Sequence, residues 1–419
     1  MKKTLAASVI AKHTNDNAKE GAICQVSVDF AFANDITAPP AINAMREMGR
    51  DRVFDKNRCA VVPDHFTPNK DIASAEQAKK CREFAHGQGM VYWEVGRAGV
   101  EHAMLPEKGY ILPGDIVLGA DSHSCTGGAM GAFATGMGST DLAGAWATGK
   151  TWLMVPETVR VDFRGPISRQ ITGKDLILAV LREISVQGAR YMALEFGGDG
   201  LESMSMDHRF TVANMAVEAG AKAGLFVPDS VTLDYARTRA ARDFEPCYPD
   251  EGCPYAKRIE IDVEKLTPLV AAPHSPDNVH PASTFKDREI HQVFIGSCTN
   301  GRLEDMEAAA SVLKGRSVHP SVRCIVIPAS FEVYNECLDR GYIRTFTDAG
   351  AAVCTPTCGP CLGGHMGILA AGERCVSTSN RNFVGRMGHT ESEVYLASPI
   401  TAAWSAVKGH IADPAEEER

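Results

Sequence analysis

Two apolar periodicities alternate along this chain. Short apolar runs suit buried strands: "CAVV" at 59–62, "DIVLG" at 115–119, "VRVDF" at 159–163, "QVFIG" at 292–296, "RCIVI" at 323–327 and "AAV" at 351–353. Segments with helical spacing separate them. Ser74 with Gln77 three residues on reads as a capping box ahead of "AEQAKKCREFAHG", where Ala78, Cys81, Phe84 and Ala85 share one face. Thr37 and the prolines at 39 and 40 open a helix that Gly49 closes, and Thr172 caps "GKDLILAVLREIS". The start, "MKKTLAASVIAKH", imitates a signal peptide. Its apolar stretch is short, and His13 and Asp16 stand where small residues should be, so it reads as an amphipathic helix. Strands alternating with helices predict an α/β fold with mostly parallel sheets.

The length of 419 residues accommodates two or three domains. The stretches "VRVDFRGPISRQITG" and "LVAAPHSPDNVHPASTF" mark crossings, giving units at 1–165, 166–284 and 285–419. A net charge of −9 without any long Lys/Arg block argues against a nucleic-acid surface. No apolar run approaches the roughly 18 residues of a membrane span. Thirteen cysteines scattered through a core-rich chain favour a reducing compartment, the cytoplasm, over a disulfide framework. The acidic end "ADPAEEER" reads as a solvated tail.

One short motif is a decoy. "GAWATGKT" at 144–151 matches a phosphate-binding loop, but no buried strand precedes it, and Trp146 and Ala147 favour a helix. A close-packed helix is the better reading.

The chemistry gathers at strand ends. "CAVV" runs into Asp64 and His65, "DIVLG" into Asp121, Ser122 and His123, "QVFIG" into Cys298 and Asn300, and "AAV" into Cys354. Open α/β sheets bind ligands beyond the carboxyl ends of their strands, so four such ends point to one shared site. "CTPTCGPCLGGH" at 354–365 spaces three cysteines C-x3-C-x2-C. Zinc, a redox dithiol and an iron–sulfur cluster all use such spacings, and Cys298 or Cys354 could complete the set. Cys298, between a strand and a helix N-terminus, is placed to be a thiolate.

The motifs "DSHSCTGGAMGAF", "GSCTNGR", "GPCLGGHMG", "TSNRNFVGRMG" and "YLASPITAA", in that order, resemble the aconitase superfamily over essentially the whole chain. The resemblance implies three α/β units around one [4Fe–4S] cluster, held by Cys298, Cys358 and Cys361. The fourth iron has no protein ligand and serves as a Lewis acid; Cys354 is then a bystander. The resemblance further implies that Asp64 and His65 form an acid–base pair with His65 as proton donor. His102, Asp121, Ser122 and His123 match further site positions, and Glu218 matches the carboxylate that partners His123. Arg381 and Arg386 match the substrate-carboxylate arginines, and Asn34, Asn214, Asn300 and Asn380 match polar substrate-site positions. Cys125 departs from the commoner hydroxyl residue and reads as a packing thiol. His13, His86, His208, His319 and His410 keep a structural reading.

Single-chain aconitases carry a further swivel domain, which supplies a serine base. Here the chain reaches Arg419 soon after "YLASPITAAWSAVKG". The resemblance therefore implies a separate small subunit, in a heterodimer or heterotetramer, without which turnover is poor. The expected substrate is a small hydroxy di- or tricarboxylate: 2- and 3-isopropylmalate of leucine biosynthesis first, homoaconitase or 2,3-dimethylmalate chemistry next. An RNA-binding iron sensor is disfavoured by the charge, and a pure electron carrier by the three-ligand set and the arginine pair.

Overall fold

A computed structural model describes residues 2–417. Among these residues three larger sheets carry most of the strands. The first orders Val91–Tyr92, Cys59–Val62, Phe30–Asn34, Ile116–Gly119 and Phe133–Gly136, all parallel. The second orders Ala223–Phe226, Ala193–Gly197, Thr158–Arg164 and Lys257–Asp262, again all parallel. The third has seven strands, with Gln292–Ile295 between Arg374–Ser377 and Arg323–Val326; only Leu269–Ala271 pairs antiparallel to its neighbours. A separate antiparallel ribbon joins Ile23–Ser27 to Lys150–Met154.

The winding of the first and third sheets explains where a site can form. In the first, Phe30–Asn34 comes earliest, the next two strands stack on one side of it, and the following two on the other. In the third, Gln292–Ile295 is followed by Arg323–Val326 and Ala352–Val353 on one side, then by Arg374–Ser377 and Glu393–Ala397 on the other. Each reversal opens a crevice at the strands' carboxyl ends, because the loops there diverge to opposite faces.

The sheets divide the chain slightly earlier than expected. Thr158–Arg164, assigned above to the first unit, pairs in the second sheet, and Leu269–Ala271 and Val279–Pro281 pair in the third. Composition missed this because the turns, not the strands, carried the glycine and proline signal. The helix Ile72–Gln88 is capped by Asp71, which accepts from Ser74 N while Ser74 Oγ accepts from Asp71 N, so it starts three residues before the expected box. Its buried face holds Ala78, Cys81 and Ala85 of the four residues read, whereas Phe84 is only half-buried at the edge of that face and Ser74 is buried with it. Ala412–Pro414 are buried and Pro414–Glu417 form a helical turn held by Lys408, so this part of the acidic end packs rather than floats. Residues 418 and 419 lie outside the described ones. The decoy motif falls on the helix Ser139–Thr148, whose Trp146 is fully buried and donates to Ala31 O.

Candidate active site

The loops after three strands of the first sheet build an acid–base corner. Asp35, just past Phe30–Asn34, accepts the backbone N–H of Asp64, His65 and Phe66 at 2.8–3.0 Å, which folds that loop around one carboxylate. Asp64 Oδ1 then lies 2.5 Å from His65 Nδ1. Burial opposes charge on the imidazole, but Asp64, backed by Asp121 and Asp35, raises its pKa well above the usual range. Burial likewise pushes the Asp64 carboxyl up against the pull of His65, so the pair keeps its proton. From the next strand end, Asp121 accepts from His102 Nε2 and from His123 N, each at 2.8 Å, and lies 3.8 Å from His65 Nε2. Burial resists ionising Asp121; the two histidines overcome it and hold its pKa well below normal.

A second arm runs from His123 to the third sheet. His123 Nε2 meets Glu218 Oε1 at 2.8 Å, and Arg381 Nε bridges both Glu218 oxygens at 2.8 and 3.1 Å. Arg381 Nη1 also donates to Ser122 Oγ at 3.0 Å. Burial opposes the Glu218 charge, but these partners lower its pKa, leaving an ionised carboxylate locked between a histidine and an arginine.

The three expected cysteines lie opposite this corner. Ser297, with φ of +79°, is a strained non-glycine turn that swings Cys298 off the strand end, and Gly296 N is pinned by Thr378 Oγ1 at 2.9 Å. Cys358 N donates to Asp64 O at 2.7 Å, so the cysteine loop is built directly onto the acid–base loop. Polar hydrogens aim at the sulfurs: Asn214 Nδ2 to Cys298 at 3.2 Å, Asn380 Nδ2 to Cys298 at 3.4 Å, and Ser297 Oγ and Arg386 Nη2 to Cys361, both at 3.7 Å. Burial, then Cys361, pushes the Cys298 thiol up to about 12. A hydrogen bond from Cys358 and the Arg386 charge hold Cys361 well below the usual range against burial. Three buried thiols ringed by donors suit a thiolate-bound iron–sulfur cluster, whose sulfurs need such hydrogen bonds. Arg386 Nε is buried without a partner among the described residues, leaving a guanidinium donor unspent beside them.

Not every expected residue faces this space. Asn34 Oδ1 accepts from Ile36 N, Thr37 N and Thr37 Oγ1, and its Nδ2 donates to Glu101 Oε1 at 3.0 Å. Asn300 Nδ2 is held by Asp305 and Thr211 at the start of the helix Leu303–Leu313. Asn214 and Asn380 bond each other and Cys298. Cys354 is half-buried, and the Cys125 thiol donates to Asn214 O at 3.3 Å. Sequence reading passed over Asp35, Glu101 and Lys174. Asp35 and Glu101 adjoin residues already singled out, which was the available signal. Lys174 sits inside an apolar helix, where a lysine with no way out to solvent is itself a sign of function.

The family model described as "Aconitase family (aconitate hydratase)" matches residues 7–289 and 278–409. A protein of Halothermothrix orenii named 3-isopropylmalate dehydratase large subunit is 55% identical over 415 residues, 99% of each chain. Proteins of the same name from Moorella thermoacetica and Syntrophus aciditrophicus are 55% and 54% identical, again over 99% of each chain. Among solved structures, the holo-form of Thermococcus kodakaraensis aconitase X shares the fold with a TM-score of 0.50 at 14% identity, covering 88% of this chain and 89% of that one.

Proposed function

The chain belongs to the aconitase family, and from that premise we propose that it is the catalytic large subunit of a 3-isopropylmalate dehydratase. This hydro-lyase interconverts 2- and 3-isopropylmalate in leucine biosynthesis by removing water and adding it back. The observation that carries the reading is the 2.7 Å bond from Cys358 N to Asp64 O, which fixes the acid–base pair against the cysteine cradle. In this reading Cys298, Cys358 and Cys361 would hold an iron–sulfur cluster, which would supply Lewis-acid chemistry toward the substrate's hydroxyl.

The chain's own residues do the rest. His65, kept protonated by Asp64, delivers a proton to the departing hydroxyl. Asp121 stays ionised and holds His102 in place, while Glu218 fixes both His123 and Arg381. Arg381 and Arg386 receive substrate carboxylate, a task that suits a planar fork of donors. The relatives' name, large subunit, implies a small-subunit partner, which we assign the removal of the carbon-bound proton. Among the described residues no helix is long and apolar enough to cross a membrane, and all thirteen cysteines are free; on the free thiols we place the enzyme in the cytoplasm.

Anaerobic reconstitution with iron and sulfide, addition of the small subunit, and absorbance of the unsaturated diacid test this. The panel is 2- and 3-isopropylmalate, homocitrate, 2,3-dimethylmalate and citrate. We expect clear preference for the isopropylmalates. Preference for another member would move the pathway, and no turnover with an intact cluster would defeat the hydro-lyase reading.

A further inference from the structure

Glu101 is a functional candidate that no sequence expectation covered. It opens the helix Glu101–Glu107 beside His102 and is fully buried. Its backbone N–H donates to Asp64 Oδ2 at 2.7 Å, which plants it against the acid–base pair. Its Oε1 accepts from Asn34 Nδ2 at 3.0 Å and stands 3.6 Å from His102 Nε2. One ligand atom from each of Glu101, His102 and Asp121 lies within 4.8 Å of the others. Glu101 Oε2, also buried, has no hydrogen-bond partner among the described residues.

Burial first, and neighbouring charge after it, decide the state of this side chain. Glu101 faces Asp64 from one strand end and Asp121 from another, so a third negative charge in the same buried corner is repelled twice. The cation facing it, His65, is already paired with Asp64, and Arg381 with Glu218. Arg302, from the start of the helix Leu303–Leu313, reaches this corner only through the backbone oxygen of His102. The amide of Asn34 fills Oε1, so the proton of a neutral Glu101 sits on Oε2. A buried O–H left without an acceptor is costly, so an oxygen from outside the protein must meet it.

We propose that Glu101 is a neutral carboxylic acid in the working site, and that its Oε2–H donates to the oxygen the reaction moves, as substrate hydroxyl or as the water it becomes. The proposal rests on the hydro-lyase reading. Burial, with Asp64 and Asp121, raises the pKa of Glu101 well above the carboxylate range, in keeping with it. Asn34 then acts as a positioning residue, and the donor expected of its amide is supplied one group further on, by the acid it orients. Glu101 transfers no proton; it holds an oxygen within reach of His65, whose Nε2 is 3.8 Å from Asp121.

The test uses the cluster-loaded complex with its small subunit. Glu101→Gln keeps a neutral donor and should lose roughly three- to tenfold in kcat/KM. Glu101→Leu should lose about 10²–10³-fold, mostly in kcat, as when one donor to a reacting oxygen is removed. Infrared difference spectra of substrate-free wild type against Glu101→Gln at pH 7 should show the carbonyl stretch of a protonated carboxylic acid in the wild type alone. Glu101→Gln as inactive as Glu101→Leu would mean that an ionised carboxylate is required, and would overturn the proposal. So would Glu101→Leu within twofold of wild type, or absence of the acid band. Should the wild type turn over no hydroxy acid, the hydro-lyase reading fails by itself, and the infrared band still judges the neutral acid.

Discussion

His65 carries its proton through neutral pH because Asp64 Oδ1 lies 2.5 Å from its Nδ1 in a corner shielded from water. Asp64→Asn removes the charge that raises the imidazole pKa but keeps the shape. The folded pKa of His65 then falls, so its proton is lost at lower pH. The alkaline limb of the kcat profile should move acidward, and kcat at pH 7.5 should drop about 10²–10⁴-fold, the usual worth of a positioned acid. An unmoved alkaline limb would assign that limb to another group. At this scale the strand ends drew attention to His65, His123 and the cysteines, and the family resemblance added His102. The sequence concealed Glu101 and the commitments of Asn34, because these depend on burial and on partners up to 67 positions away. No local pattern encodes such partners.

Strands and helices were legible where a run of apolar residues or a capping residue marked them, as in Cys59–Val62 and in Gly173–Ile184 behind Thr172. What was not legible is how one element braces another. Lys174 lies in the first turn of Gly173–Ile184, fully buried, and its ammonium donates to Thr378 O and Ser379 O at 2.9 and 2.7 Å. Burial lowers its pKa to about 7, partly offset by Asp305, Cys298 and Cys361. Those two carbonyls end the strand that delivers Asn380 and Arg381. Lys174→Met leaves both unpaired, at about 1–3 kcal/mol each, while relieving the cost of burying an ammonium. The two effects oppose, so the melting temperature should move little. The freed loop should raise KM for the dicarboxylate about tenfold, with a smaller fall in kcat. An unchanged KM would show that the sheet alone fixes the arginine.

At the scale of the molecule, the site exists only because two crevices, one in each of two sheets, meet. Chain order alone suggested this, since reactive residues follow four separate strand runs, but which sheet each strand joins was decided by pairing that composition does not record. Thr158–Arg164 and Leu269–Ala271 both joined a later sheet than read. The junction converges on one backbone oxygen: Cys358 N and the Thr357 hydroxyl both donate to Asp64 O, at 2.7 and 2.8 Å. Because neither bond uses a cysteine sulfur, the fold should survive loss of the cluster while the chemistry does not. Cys358→Ser should therefore keep wild-type far-ultraviolet circular dichroism and bind the small subunit. It should also lose the visible iron–sulfur absorbance, most of its iron and sulfide, and all turnover. Cys354→Ser, four residues away on the same loop, should keep iron, sulfide and colour, because its half-buried thiol lies outside the ring of donors from Asn214, Asn380, Ser297 and Arg386. If both serine variants lost their iron equally, Cys354 would be a ligand, and the iron position left open for substrate would have to be sought elsewhere.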